Sequence, residues 1–173
     1  MPKELKKAIR EIPDFPKKGI LFYDITTLFS DARAFRRSVD MFAHRYIDRK
    51  PDLFVGVEAR GFLMAAALAY ALGTGVVVIR KPGKLPRKTH KASYDLEYGS
   101  SEIEIHQDAI SAGQRVVLVD DLLATGGTIN AAVELVDKLG GDIIEIAFLV
   151  ELTFLNGRKN LTDYEIHSLV KYD

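Results

Sequence analysis

The chain has 173 residues, 47% hydrophobic and 28% charged, with 24 basic and 24 acidic side chains that cancel to a formal net charge of zero. That length suits one domain with a sizeable core, 1–173, and zero net charge argues against a general nucleic-acid binder. The sequence lacks cysteine, which excludes disulfides, thiolate catalysis and zinc–sulfur sites, and no apolar run reaches membrane-spanning length. The first residues also lack the apolar core of a signal peptide. Leu5, Ala8, Ile9 and Ile12 share one helical face and predict a short amphipathic helix. Pro13, Pro16 and Gly19 then break regular structure. An aromatic, turn-rich stretch follows, through Phe22, Tyr23 and Thr26. Asp31 is placed to cap the next helix, whose apolar face is Phe35, Val39, Phe42, Ala43 and Tyr46.

Residues 53–57 read as a buried strand, followed by a loop containing Glu58, Arg60 and Gly61 and an alanine-rich helix to Leu72. Residues 76–79 are a third type of apolar run and predict another strand. Between 80 and 91 stand six cations, Arg80, Lys81, Lys84, Arg87, Lys88 and Lys91, with no acid among them. Two prolines and a glycine make this a loop, and self-repulsion predicts that it stays open until an anion arrives. Aromatics for base stacking are not interleaved with the charges, and His90 has no second ligand at metal-binding spacing. Alternation over 93–99 and 102–106 predicts a hairpin turning at 99–101.

The most informative stretch is 116–128. Four apolar residues, 116–119, predict a buried parallel strand that ends where Asp120 and Asp121 stand. Then come Ala124, Thr125, Gly126, Gly127 and Thr128, and a helix with Ile129, Ala132, Val133, Val136 and Leu139 on one face, stopped at Gly140. Glycines let a backbone approach a phosphate, and free N–H groups with two threonine hydroxyls suit a dianion. No lysine precedes Thr128 as in a Walker loop, and the glycine spacing is not that of a dinucleotide fold. Two acids beside a phosphate cradle fit a sugar diol, since ionised carboxylates only accept hydrogen bonds. Residues 143–152 predict a further strand, and 164–172 an edge strand.

The 116–128 stretch resembles the 5-phosphoribosyl diphosphate (PRPP) signature of type I phosphoribosyltransferases. The segment around Phe22 and the Leu96-Glu97-Tyr98-Gly99 segment resemble the adenine-specific branch of that family. The resemblance implies an α/β fold, with a central parallel sheet flanked by helices, a small N-terminal hood (1–30), and a flexible loop and hairpin (80–107). It implies transfer from PRPP to adenine, giving AMP and pyrophosphate. Another purine base, or a non-enzymatic PRPP-binding regulator on the same fold, remains open at this point. Asp120 and Asp121 would hold the ribose, and residues 124–128 the 5-phosphate. Arg60 would bind pyrophosphate, with Arg80 and Lys84 on a lid above it. Backbone groups of Leu21 and Tyr23 would read the base under Phe22, with Tyr98 a further substrate contact. Glu97 would be the acid/base. The family has a cis peptide in the 58–61 loop, which makes Glu58–Ala59 the candidate bond here. Mg²⁺ would be held mainly by the diphosphate and ribose oxygens, with few direct protein ligands. The expected state is a cytoplasmic homodimer without nucleic-acid or membrane partners.

Overall fold

The computed structural model describes residues 2–95 and 100–173, and the alternation of strands and helices builds one parallel five-stranded sheet. The chain opens with α1 (Pro2–Lys7), β1 (Arg10–Pro13), β2 (Leu21–Asp24), α2 (Thr26–Ser30) and α3 (Ala32–Tyr46). Next come β3 (Leu53–Val57), α4 (Gly61–Leu72) and β4 (Gly75–Ile79). A hairpin of β5 (Thr89–Asp95) and β6 (Ser100–His106) leads to β7 (Arg115–Leu123), α5 (Gly127–Lys138), β8 (Asp142–Leu152) and β9 (Ile166–Tyr172). The sheet order is β4-β3-β7-β8-β9, and every pairing in it is parallel. All C-terminal strand ends therefore meet at one edge, where open α/β sheets bind ligands.

Burial on both faces explains the continuous apolar runs. Phe54, Val117, Val119, Ala147 and Leu149 face a cluster shared with α1 to α4. Val55, Leu118, Ile146 and Phe148 face the other cluster, shared with α5 and the hairpin. Fully buried side chains such as Phe54 and Phe148 contribute about 1.5–3 kcal/mol each. Asp31 caps α3 as expected, accepting hydrogen bonds from the Arg33 and Ala34 amides at 2.9 and 3.0 Å. β9 is the expected edge strand.

Four expectations need correction. The N-terminal helix ends at Lys7, and Ile12 lies instead on β1, which pairs with β2 in an antiparallel ribbon. The chain there gains strand hydrogen bonds that a helix running into Pro13 would lose. β7 does not stop before the acid pair. Asp120, Leu122 and Leu123 remain paired with Phe148, Val150 and Glu151 of β8. The hairpin strands begin earlier, at Thr89, and resume at Ser100, so Ser100 and Ser101 are strand and not turn. Finally, two of the six cations have acid partners distant in sequence, Arg80 with Glu58 and Arg87 with Asp108.

Candidate active site

The two acids project at the ligand edge because β7 carries them past its buried apolar core. Asp120 is 8% exposed and Asp121 is 7% exposed. The Asp121 amide donates to Asp120 Oδ1 at 2.8 Å. Arg60 Nε donates to Asp121 Oδ2 at 2.5 Å, so an arginine expected on diphosphate and an acid expected on ribose are paired with each other. Burial, then the Asp121 charge and a side-chain hydrogen bond from the same residue, push the Asp120 carboxyl well above the usual carboxylate range. The Asp121 amide and Arg60 pull the other way without cancelling that rise. Gly61 makes the approach possible. A Cβ there would lie 2.7 Å from the Val119 carbonyl oxygen and 3.1 Å from Asp120 Oδ1.

Residues 124–128 form the turn from β7 into α5. Gly126, with φ of +90°, precedes the first turn of α5 and makes no side-chain cap. The first amides of the helix are thus left without a capping side chain or an acid in the first turn, the arrangement that suits an anion. Gly126 and Gly157 lock the turn from behind. The Gly157 carbonyl lies where a Cβ of Gly126 would go, and the Ala124 carbonyl where one of Gly157 would go. Asp120 and residues 122–129 line a small cavity of about 70 Å³ here.

The loop between β3 and α4 contains the expected cis peptide, Glu58–Ala59. Glu58 accepts from Arg80 Nε at 3.2 Å and from the Lys81 amide at 2.9 Å. Burial pushes the Glu58 carboxyl up, but the Lys81 amide and the Arg80 guanidinium outweigh it and the net direction is down. Arg80 also lies 6.0 Å from the Phe62 ring centre. Arg87 pairs with Asp108 at 2.6 Å. Lys84 is exposed on the loop between these anchors.

Leu21, Phe22 and Tyr23 form most of β2, on the small N-terminal ribbon. The Phe22 ring meets Phe15 edge-on at 5.1 Å. Tyr23 turns its ring onto Tyr172, 3.9 Å between centroids, and against the core. The Tyr23 ring is therefore a packing element, and only its backbone is available for base reading.

A cavity of about 320 Å³ gathers Arg60 from the β3–α4 loop with Asp120, Asp121 and Thr128 from the 116–128 stretch. Its walls also include Glu58, Ala59, Tyr94 and Leu122. Leu21, Phe22, Tyr23, Arg80 and Lys84 do not line it, and Glu97 and Tyr98 lie outside the described residues. A larger groove of about 660 Å³ runs between α1 and the start of α3, but it has mixed charges and none of the expected residues. Sequence reasoning missed Glu58, Tyr94 and Gly157. Glu58 carried a signal, an acid directly ahead of the Ala59-Arg60-Gly61 loop. Tyr94 carried only its place on a strand near the Leu96-Glu97-Tyr98-Gly99 segment. Gly157 carried none, since its partner is thirty residues away.

Residues 30–170 match the family model described as the phosphoribosyl transferase domain. An adenine phosphoribosyltransferase of Geobacter metallireducens is 60% identical over 169 residues, covering 98% of this chain and 99% of that protein. The crystal structure of adenine phosphoribosyltransferase from Thermoanaerobacter pseudethanolicus superposes with a TM-score of 0.95 at 58% identity, covering 99% of this chain and 100% of that one. The Saccharomyces cerevisiae enzyme, solved with adenine and an imino-altritol bisphosphate, gives a TM-score of 0.93 at 43% identity and covers 98% of both chains.

Proposed function

The chain belongs to the phosphoribosyl transferase domain family, and we infer that within it the protein is an adenine phosphoribosyltransferase, converting adenine and PRPP to AMP and pyrophosphate in purine salvage. The observation that carries the chemistry is the junction of the acid pair with the phosphate turn around one cavity. In the reaction the C–O bond from ribose to diphosphate breaks, a C–N bond to a ring nitrogen of adenine forms, and that ring loses a proton.

Asp120 and Asp121 accept hydrogen bonds from the ribose hydroxyls in this reading. The amides of 124–128, with the Thr125 and Thr128 hydroxyls, hold the 5-phosphate. Arg60 holds the diphosphate, and Arg80 and Lys84 close over it and exclude water. Leu21 and Tyr23 read the base through their backbones under the Phe22 ring, with Tyr98 on the substrate side. Glu97 takes the proton of the base. Mg²⁺ fits as a cation carried in by the diphosphate, because two of the three acids lining the cavity are paired with cations, Asp121 with Arg60 and Glu58 with Arg80, and Asp120 accepts the Asp121 amide. When bound it would neutralise charge on the departing diphosphate.

The same reading takes residues 1–173 as one domain acting as a homodimer. Supporting the dimer, Tyr70 on α4 is 92% exposed, Leu63, seven residues earlier and so on the same helix face, is half exposed, and Val76 on the edge strand β4 is also exposed. Among the described residues no helix is long and apolar enough to cross a membrane. A cytoplasmic location belongs to this proposal and rests on the charge-balanced, cysteine-free sequence. The decisive experiment incubates the protein with PRPP, Mg²⁺ and each purine in turn. AMP from adenine is the expected product. Turnover of hypoxanthine or xanthine alone would change the base, and no nucleotide from any base would end the enzyme reading.

A further inference from the structure

Strand alternation on β6 puts Ile103 and Ile105 in the core and predicts solvent for Glu104. Glu104 is nevertheless only 3% exposed. The residue that covers it is the basic loop itself. Glu104 Oε1 accepts the Gly83 amide at 3.0 Å and the Leu85 amide at 3.4 Å. Its Oε2 accepts the Thr89 hydroxyl at 3.1 Å. Its backbone exchanges two hydrogen bonds with Arg80, at 2.9 and 2.7 Å. One residue thus holds the entry of the loop at Arg80, its middle at Gly83 and Leu85, and its exit at Thr89. Gly83, at φ +77°, supplies the backbone conformation that turns its amide inward. Lys84 stands between the two held amides and is exposed.

We propose that Glu104 is a positioning residue for PRPP: it pegs the 80–89 loop so that Arg80 and Lys84 are preset for the diphosphate, without touching substrate itself. This rests on reading that loop as the diphosphate lid. Neighbouring acids do a different job. Asp108 pairs with the Arg87 side chain, and Glu58 takes the Arg80 side chain and the Lys81 amide at the loop's entry, whereas Glu104 holds the backbone at the loop's middle. An open loop would pay its ordering entropy each time PRPP binds, and a pegged loop has paid most of it on folding. The effect should therefore fall on PRPP and not on adenine.

The test compares Glu104→Ala, Glu104→Asp, Glu104→Gln and Lys84→Ala by steady-state kinetics at saturating Mg²⁺, with hydrogen exchange on the loop amides. Glu104→Ala should raise KM for PRPP about tenfold or more and leave KM for adenine within about threefold, the scale of one charge-assisted hydrogen bond. Glu104→Asp keeps the charge, withdraws the carboxyl by one methylene, and should show the same selective rise. Glu104→Gln keeps an acceptor for Gly83 and Leu85, and Thr89 can turn to accept from its amide. It should stay within about threefold of wild type for both substrates and keep the Gly83 and Leu85 amides protected. An unchanged KM for PRPP in both Glu104→Ala and Glu104→Asp overturns the inference. So does an equal loss for both substrates that Glu104→Gln fails to rescue. If Lys84→Ala also leaves KM for PRPP unchanged, the lid reading is what fails. If Lys84→Ala raises it and the Glu104 variants do not, only the peg is wrong.

Discussion

Arg60 and Asp121 close on each other at 2.5 Å, although the proposed roles put one on diphosphate and the other on ribose. Under the proposed roles, binding PRPP exchanges this internal ion pair for one between Arg60 and diphosphate and for hydrogen bonds from the neutral ribose hydroxyls to Asp121. Arg60 is partly exposed, so the internal pair is modest in strength. It still competes directly with substrate. Arg60→Ala should cost more PRPP affinity in an Asp121→Asn background than in wild type, because the freed arginine has no rival partner. Coupling in contacting pairs is about 0.5–3 kcal/mol. Titration calorimetry on the four proteins measures it, and strictly additive losses would show that the pair does not compete.

Asp120 links binding to stability with opposite signs. Its carboxyl is raised by burial and by Asp121, so the folded state holds a proton that the unfolded chain has released. Between the ordinary carboxylate value, about 4, and the raised one, the native state binds more protons, and stability falls as pH rises. Above the raised value the full penalty remains. Asp120→Asn removes it, so the variant should melt higher than wild type at neutral pH and lose the downward slope. Each ~1 kcal/mol recovered appears as about 2–4 °C. The same variant should bind PRPP more weakly by about 1.5–3 kcal/mol. Melting curves from pH 4 upward decide the first half. Parallel curves for the two proteins would mean that Asp120 carries no burial penalty.

Glu145 shows what a structural carboxylate looks like in this protein. It is fully buried and accepts from Arg45 Nε at 2.8 Å, Arg45 Nη2 at 2.6 Å, the Tyr46 hydroxyl at 2.5 Å, and Arg49. Burial first, and the Glu145 charge second, push the Tyr46 phenol strongly up, which keeps it a donor. The cluster sits near the start of β8, at the opposite end of the sheet from the ligand edge. Glu145→Ala should destabilise by about 1–3 kcal/mol because it leaves the buried Tyr46 phenol without its acceptor, while Arg45 and Arg49 keep Glu165 as a partner. The turnover number at low temperature should not change. An unaltered urea midpoint would contradict this account.

The proposed dimer has a simple check at α4. Leu63 and Tyr70 stand seven residues apart on a helix with no charged side chain. Leu63→Glu should convert a dimer to a monomer by sedimentation equilibrium while the far-ultraviolet spectrum is preserved. A wild-type protein that sediments as a monomer would remove the dimer from the reading.

The parallel sheet was legible because strands buried on both faces must be apolar throughout, as residues 116–119 are. The acid pair and phosphate turn were legible because their chemistry lies within nine consecutive residues, 120–128. What stayed hidden was pairing across sequence. Nothing near Glu104 marks it as the peg of a loop twenty residues earlier, and alternation pointed it at solvent. The cations of 80–91 looked uncompensated because Glu58, Glu104 and Asp108 are not their neighbours in the chain. Ile12 went to β1 and not to a helix because its partner, Phe22, is ten residues on. Local periodicity carries no record of such partners.

Glu97 remains the proposed acid/base, and its test is kinetic. The base must lose an imidazole-ring proton as its nitrogen attacks the anomeric carbon. Asp120 and Asp121 are proposed for ribose, and Asp121 is held by Arg60. Tyr94, three residues before Glu97 in the sequence, lines the cavity. General acid–base help is typically worth about 10²–10⁴ in rate. Glu97→Gln should therefore lower kcat at least about tenfold while PRPP affinity stays near wild type. Glu102, exposed on β6, supplies the control, and Glu102→Gln should do little. Rapid-quench measurement of the first turnover is required, because slow product release can hide a chemical defect. A Glu97→Gln enzyme that forms its first AMP at the wild-type rate would take Glu97 out of the mechanism and leave the proton to solvent or to Tyr98.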